Sequence, residues 1–164
     1  MTSANRLYHA SGTSGLRILS PQRTLSKNHY IGDYVFATDN KLMAAMYLVP
    51  NAVGIRLLGY EYEQPYLVVC STIEAFVKLD TGGSIYTVPQ DSFHDTPQQE
   101  LRGTEFVSEV SVVPIAEQRY DTARQALGDR GAKIYVLSEV SFDRVMKAGT
   151  DAWEILKELA PFVG

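Results

Sequence analysis

Short apolar runs separated by polar, glycine-punctuated segments make up most of this chain. Residues 7–10 form the first run and read as a short strand opening into Ser11-Gly12-Thr13-Ser14-Gly15. Residues 16–19 follow and break at Ser20-Pro21. Residues 22–33 are polar and read as a loop. Tyr34-Val35-Phe36-Ala37 is β-branched and aromatic, as a short strand should be. A helix is expected over residues 39–48. Thr38 or Asp39 can cap it, because a short oxygen side chain accepts from the orphan amides of a first turn. Leu42, Met46 and Val49 lie on one stripe of that helix, with Met43 and Tyr47 beside it, and Pro50 stops it. Residues 52–58 fit either strand or helix, and residues 60–65 read as a loop or an edge.

Strand signals then recur at residues 66–70, 75–79, 84–88 and 105–115. Asp80-Thr81-Gly82-Gly83 suits a hairpin turn, since glycine reaches positive φ without steric cost. Residues 89–104 are polar, contain Pro89 and Pro97, and read as a loop. The last third is more helical. A short helix over 120–127 closes at Gly128, a strand covers 133–137, and Ser141 caps a helix through Lys147 that Gly149 ends. Asp151 with Glu154 resembles a capping box for a last helix, whose apolar stripe is Trp153, Leu156, Leu159, Ala160 and Val163. The order is not a regular βαβ alternation. It predicts an α+β fold with a curved, mostly antiparallel sheet and a short helical C-terminal tail. The 164 residues suit a single domain, 1–164, with a core over 1–115 and a mostly helical extension over 116–164.

Composition narrows the class. Hydrophobic residues make up 45%, enough for a packed core, and the net charge is -4 with no basic stripe. An extended nucleic-acid surface is therefore not expected. No run approaches the ~18 apolar residues of a membrane helix. Residues 1–6 carry no apolar segment, so no signal peptide is expected. The one cysteine, Cys70, closes an apolar run, excludes an internal disulfide and reads as a buried, unreactive core residue. Together these lead to the expectation of a soluble, cytoplasmic protein. The three histidines, His9, His29 and His94, have no ligand spacing, so no metal is expected.

Walker, dinucleotide-fingerprint, zinc-protease and nucleophile-elbow motifs are all absent. His9 stands where a strand opens into a Ser/Gly turn. A lone histidine there is more often half-buried on a backbone partner than ligand-binding. Glu105 and Glu109 share one face of their expected strand, which is more often solvated than cleft-lining. At i and i+4 their backbones are ~13 Å apart, too far to share one site easily. Tyr34, Tyr47, Tyr66 and Tyr86 are core candidates that could instead stack on a flat ligand.

Three segments, taken in order, resemble the ADP-ribosyltransferase superfamily of His-Tyr-Glu type. Tyr8-His9-Ala10-Ser11 is similar to the family's His-Gly-Ser/Thr strand. Val35-Phe36-Ala37-Thr38, with the helix carrying Ala44-Ala45-Met46-Tyr47, resembles its aromatic-Phe-Ala strand and Ser/Ala-rich helix ending in tyrosine. Glu105-Phe106-Val107 is similar to the strand carrying the catalytic glutamate, and residues 84–89 resemble a central strand of the small rifamycin-modifying branch. The match spans roughly the first 115 residues. The resemblance implies an ADP-ribosyltransferase-like fold that takes NAD as substrate, for ADP-ribosyl transfer or NAD glycohydrolysis on an unidentified acceptor. It implies that Glu105 is catalytic and that His9, Ser11 and Tyr34 or Tyr47 contact the nucleotide. His9 would hold a ribose hydroxyl, one tyrosine would stack on nicotinamide, and Glu105 would face the oxocarbenium-like transition state. Ala10 departs from the family's glycine and Val35 stands where the strand's aromatic belongs. An RNA 2′-phosphotransferase-like enzyme and a non-catalytic ligand-binding module of the same fold are the alternatives. The first would need basic residues at the cleft, for which Arg6, Arg17, Arg23, Arg56 and Arg102 are the candidates.

Overall fold

The computed structural model describes residues 6–26, 29–53, 56–61 and 64–163. The fold is mixed α and β, with mostly antiparallel sheet and a short helix near the C-terminus. In chain order the elements are β1 (Arg6–Ser11), β2 (Gln22–Ser26), β3 (His29–Thr38), α1 (Lys41–Tyr47), β4 (Arg56–Glu61), β5 (Gln64–Cys70) and α2 (Ile73–Leu79). They continue with β6 (Gly83–Pro89), β7 (His94–Asp95), β8 (Glu105–Ser108), β9 (Ala116–Tyr120), α3 (Ala123–Gly128), β10 (Lys133–Leu137), α4 (Glu139–Ala148) and α5 (Ala152–Leu156). No described helix is long and apolar enough to cross a membrane. The chain divides into two compact units, Met1–Tyr47 with Gly83–Arg119, and Leu48–Gly82 with Tyr120–Gly164.

In the first unit the sheet order is β7-β8-β3-β1-β6-β9, with β2 added beside β3. Alternation along the strands separates its faces. Leu7, Val35, Ala37, Tyr86 and Val88 turn to one side and form a core with Leu19 and Val112, and Phe106 packs against it. Leu19 and Val112 exchange backbone bonds of 2.8 and 2.9 Å, which closes the 16–19 segment onto this core. The alternate residues Tyr8 and Glu105 face α1: Lys41 lies over the Tyr8 ring and Tyr47 bonds Glu105. Asn40 caps α1, its Oδ1 accepting from Leu42 and Met43, while the expected cap Thr38 accepts from Asn40 itself.

In the second unit β5 lies between β4, antiparallel to it, and β10, parallel to it. Leu67, Val68 and Val69 are fully buried, so both faces of β5 are covered, as a continuous apolar run predicts. Tyr66, Val68 and Tyr135 pack with Phe142 and Val145 of α4 and with Ala152 and Leu156 of α5.

Several expectations change. Residues 22–26 and 29–33 are not loop but paired strand, β2 and the start of β3, whose exposed faces leave no apolar alternation to read; residues 27 and 28 lie outside the described residues. Residues 75–79 are not a strand: Thr72 caps α2 by accepting from Ala75 N, which overrides the β-branched composition. Asp80 to Gly83 therefore links a helix to a strand rather than turning a hairpin, although Gly82 has the positive φ of 70°. The strand expected over 105–115 stops at Ser108, where the Ser108 hydroxyl bonds both backbone groups of Val110 and bends the chain. The 120–127 helix starts three residues later, after β9. Ser138, not Ser141, caps α4. Asp151 makes no side-chain cap bond, and α5 ends at Leu156, so Leu159 and Val163 are exposed and the expected stripe stops short. Cys70 is half-buried rather than buried.

Candidate functional site

His9 sits opposite Tyr86 in the β1–β6 ladder. The β1–β3 ladder is far shorter, with Tyr8 opposite Thr38 its one register pair. Beyond that pair the His9 ring reaches β3 directly, with Nδ1 2.6 Å from the Phe36 carbonyl oxygen. A carbonyl only accepts, so Nδ1 carries the hydrogen and a neutral His9 presents Nε2 as an acceptor. Burial lowers the His9 pKa from its ordinary value, against the opposite pull of the Phe36 bond, and so favours that neutral form. His9, Leu16, Ser20, Gln22, Tyr34 and Phe36 are among the residues lining a pocket of about 320 Å³. Tyr34 is 8% exposed, meets the Phe36 ring edge-on at 5.9 Å and donates its hydroxyl to the Ile31 carbonyl. Ser11 Oγ accepts from the Thr13 amide at 3.1 Å.

Glu105 opens β8 opposite Thr38 and is only 6% exposed. Its burial corrects the expectation of an outward polar face. Val107 on the same side is also fully buried, so β8 has no solvated face, and Glu109 lies beyond the strand, exposed. Tyr47, from the last turn of α1, donates to Glu105 Oε2 at 3.1 Å. Oε1 is buried with no hydrogen-bond partner. Desolvation raises the Glu105 pKa, and the Tyr47 hydrogen bond and the nearby Thr96 hydroxyl, which stands outside hydrogen-bond geometry, act the other way. Thr96 is 1% exposed and arrives because β7 pairs with β8, His94 opposite Val107 and Asp95 opposite Phe106. Nothing in a polar loop sequence marks Thr96 for this position.

The residues thus fall into two sets. Glu105, Tyr47 and Thr96 meet on the α1 side of the sheet. His9 and Tyr34 border the pocket where β1 and β3 part. Because Tyr8, Thr38 and Glu105 are in register, they share a face, and His9, one residue further along, starts on the other. One strand separates β1 from β8, two interstrand steps or about 10 Å. Tyr47, 38% exposed, offers more open ring surface than the buried Tyr34. Among the described residues no three His, Cys, Asp or Glu side chains converge as a metal site would need. Compared with family models, with curated proteins and with solved structures, the chain matches none.

Proposed function

We propose that the first unit is an NAD-handling module of ADP-ribosyltransferase-like fold that cleaves the bond between ribose and nicotinamide, passing the ADP-ribosyl group to water or to another acceptor. One observation carries this reading: Glu105 is buried with Oε2 held by Tyr47 and Oε1 without a partner. A buried carboxylate oxygen left unsatisfied is costly, so a ligand donor there explains it better than a structural role does. A ribose hydroxyl supplies such a donor. Glu105, once ionised, then lies against the positive charge that grows on the ribose as nicotinamide departs. That interaction is strongest in the transition state and so accelerates the reaction rather than merely tightening binding. Tyr47 holds the carboxylate through its hydroxyl, and 38% of its surface stays open. Neutral His9, with Nε2 as acceptor, lies on the other face of the sheet from Glu105 and in this reading meets a hydroxyl at a different part of the nucleotide.

The test combines calorimetric titration with NAD and chromatographic detection of released nicotinamide. Wild-type protein should bind and release nicotinamide. Glu105→Gln should bind with similar affinity and lose most turnover, because shape is kept while charge is removed. Equal turnover in the two forms would remove Glu105 from the mechanism, and no binding by the wild type would remove NAD. A second reading, a non-catalytic nucleotide-binding module, draws on the opposite-face register of His9 and Glu105. It expects binding with no nicotinamide release in either form.

A further inference from the structure

The turn that follows His9 is held by a carboxylate that the sequence does not single out. Glu117 lies on β9, at the edge of the sheet, as an exposed residue whose side chain itself is 22% exposed. Its Oε1 accepts from the Gly15 amide at 2.7 Å and from the Ser84 hydroxyl at 2.7 Å. Arg119 closes the outer side, with Nε 3.2 Å from Oε1 and Nη2 3.3 Å from Oε2. The fully buried Ser84 gives its one hydroxyl hydrogen to Glu117, so it accepts from Ser14 Oγ, 2.7 Å away. Tyr86, also fully buried, places its hydroxyl 3.3 Å from Glu117 Oε1. That hydroxyl donates its hydrogen to the Thr13 carbonyl at 2.8 Å and accepts from the Leu16 amide at 3.0 Å. Each residue from Thr13 to Leu16 is therefore anchored to Glu117 or to the Ser84–Tyr86 pair it engages. The Gly15 amide and then the Ser84 hydroxyl hold the Glu117 carboxyl at about 2, well below the usual carboxylate range.

The anchoring ends at the candidate site. Leu16 and His9 line the same pocket, and the Tyr86 ring lies 6.3 Å from the His9 ring, centroid to centroid. The anchored segment includes Gly15 at φ 78° and follows Gly12, around which no neighbouring atom would crowd a side chain. Such a segment has wide conformational freedom unless something outside it restrains it. A wall that must be ordered at the moment of binding subtracts its ordering cost from ligand affinity, whereas a wall already ordered does not.

We propose that Glu117 is a positioning residue that holds the 13–16 turn, and with it the wall that Leu16 gives the His9 pocket, and thereby sets the affinity of that pocket for a nucleotide. The identity of the nucleotide, an ADP-ribosyl compound, rests on the NAD reading above. Glu117 reaches the pocket only through the turn, so its loss weakens binding and leaves the turnover of bound substrate intact.

The experiment uses the full chain and two probes, ADP-ribose, which lacks the bond to be cleaved, and NAD. Glu117→Ala should raise the Kd for ADP-ribose about tenfold, in line with losing a charged hydrogen-bond acceptor. It should also speed hydrogen exchange at the Gly15 and Leu16 amides and leave the saturated rate of nicotinamide release at the wild-type level. Glu117→Gln, which keeps an acceptor oxygen, should fall between. Arg119→Ala, on the outer side of the carboxylate, should change Kd less than about twofold. If Glu117→Ala does not fold, Tyr86→Phe releases Thr13 and Leu16 from the same turn and should raise Kd in its place. Faster exchange with unchanged Kd makes Glu117 a structural clamp alone and overturns the proposal, as does a fall in saturated rate with Kd unchanged. Weaker ADP-ribose binding in the variant, with no nicotinamide release by the wild type, sustains the proposal and sinks the transferase reading. Unchanged binding in the variant, with release that depends on Glu105, does the reverse. A wild type that binds neither probe overturns both.

Discussion

Replacing Asp80 should destabilise the second unit about as much as the loss of a large buried apolar side chain near it. Asp80 is 4% exposed and follows α2 at its C-terminal cap. Its Oδ1 accepts from the Ala123 amide at 2.5 Å, and Oδ2 accepts from the Arg124 amide at 3.2 Å and from Arg124 Nε at 2.9 Å. Thr122 accepts from Gln125 N, so the first three amides of α3 are satisfied by two side chains, one of them 43 residues earlier in the chain. Asp80→Ala strands two amides and leaves the Arg124 side chain, 16% exposed, without its partner. Breaking a buried ion pair from one side costs about 3–5 kcal/mol, the range expected here. With a slope of about 1.5 kcal/mol per M, the urea midpoint falls by about 2–3 M. Asp80→Asn keeps one accepting oxygen and should lose about 1–3 kcal/mol. Thr122→Ala removes a single cap and should lose about 1 kcal/mol. Trp153, the only tryptophan, stacks on Tyr66 within this unit, so its fluorescence reports the transition directly. A midpoint shift under about 0.5 M for Asp80→Ala, or the reverse order among the three variants, would refute the assignment.

Two further outcomes follow from particular residues. Burial raises the Glu105 pKa above its ordinary 4.5, so the folded chain keeps a proton that the unfolded chain gives up; the stability this group supplies is complete below 4.5 and is lost as pH rises through the folded value. Glu105→Gln should therefore gain in urea midpoint over wild type as pH rises from about 4 to 7, and a constant difference across that range would contradict the buried carboxylate. Gly82 has φ 70° and a side-chain carbon there would lie 2.2 Å from the Tyr120 carbonyl oxygen. Gly82→Ala should cost at least about 1–3 kcal/mol by Trp153 fluorescence, and a neutral result would show that the 80–83 link relaxes freely.

The elements most legible in the sequence are those with one face buried and one face polar. β1, β3 and α1 emerge from alternation and helical spacing because Leu7, Val35, Ala37 and Leu42 are all in packed layers. β5 is legible for a different reason, a continuous apolar run covered on both sides. The β2–β3 hairpin is not legible, since Leu25 and Tyr30 are both more than half exposed and the pairing shifts register between Thr24 and Leu25. α2 is hidden because Ile73, Val77 and Phe76 carry strand propensity, while the signal that decides is the single cap at Thr72. At the candidate site, motif order named His9, Ser11, Tyr34 or Tyr47, and Glu105; of these Tyr47 and Glu105 meet, while His9 and Tyr34 border a separate pocket. Thr96 was illegible because its place depends on β7 pairing across an intervening loop, and Glu117 because its partners lie 102, 33 and 31 residues away.

Glu105 and Glu117 mark opposite ends of what a fold does with a carboxylate. Glu117 collects donors from the Gly15 amide, the Ser84 hydroxyl and Arg119, and its pKa falls because each of them favours the charge. That arrangement favours the ionised carboxylate in the folded chain. Glu105 is the more deeply buried, yet it keeps an oxygen without a donor, and desolvation pushes its pKa up. An apolar side chain of similar volume would remove the orphaned atom, at the cost of the Tyr47 hydrogen bond. A glutamate at such a position carries an energetic disadvantage, which a ligand whose donor or positive charge meets Oε1 would relieve, as the reading proposed above requires. The same logic ties the two together. The carboxylate that destabilises must be offset by others that stabilise, and the turn that Glu117 secures is the one leading from His9.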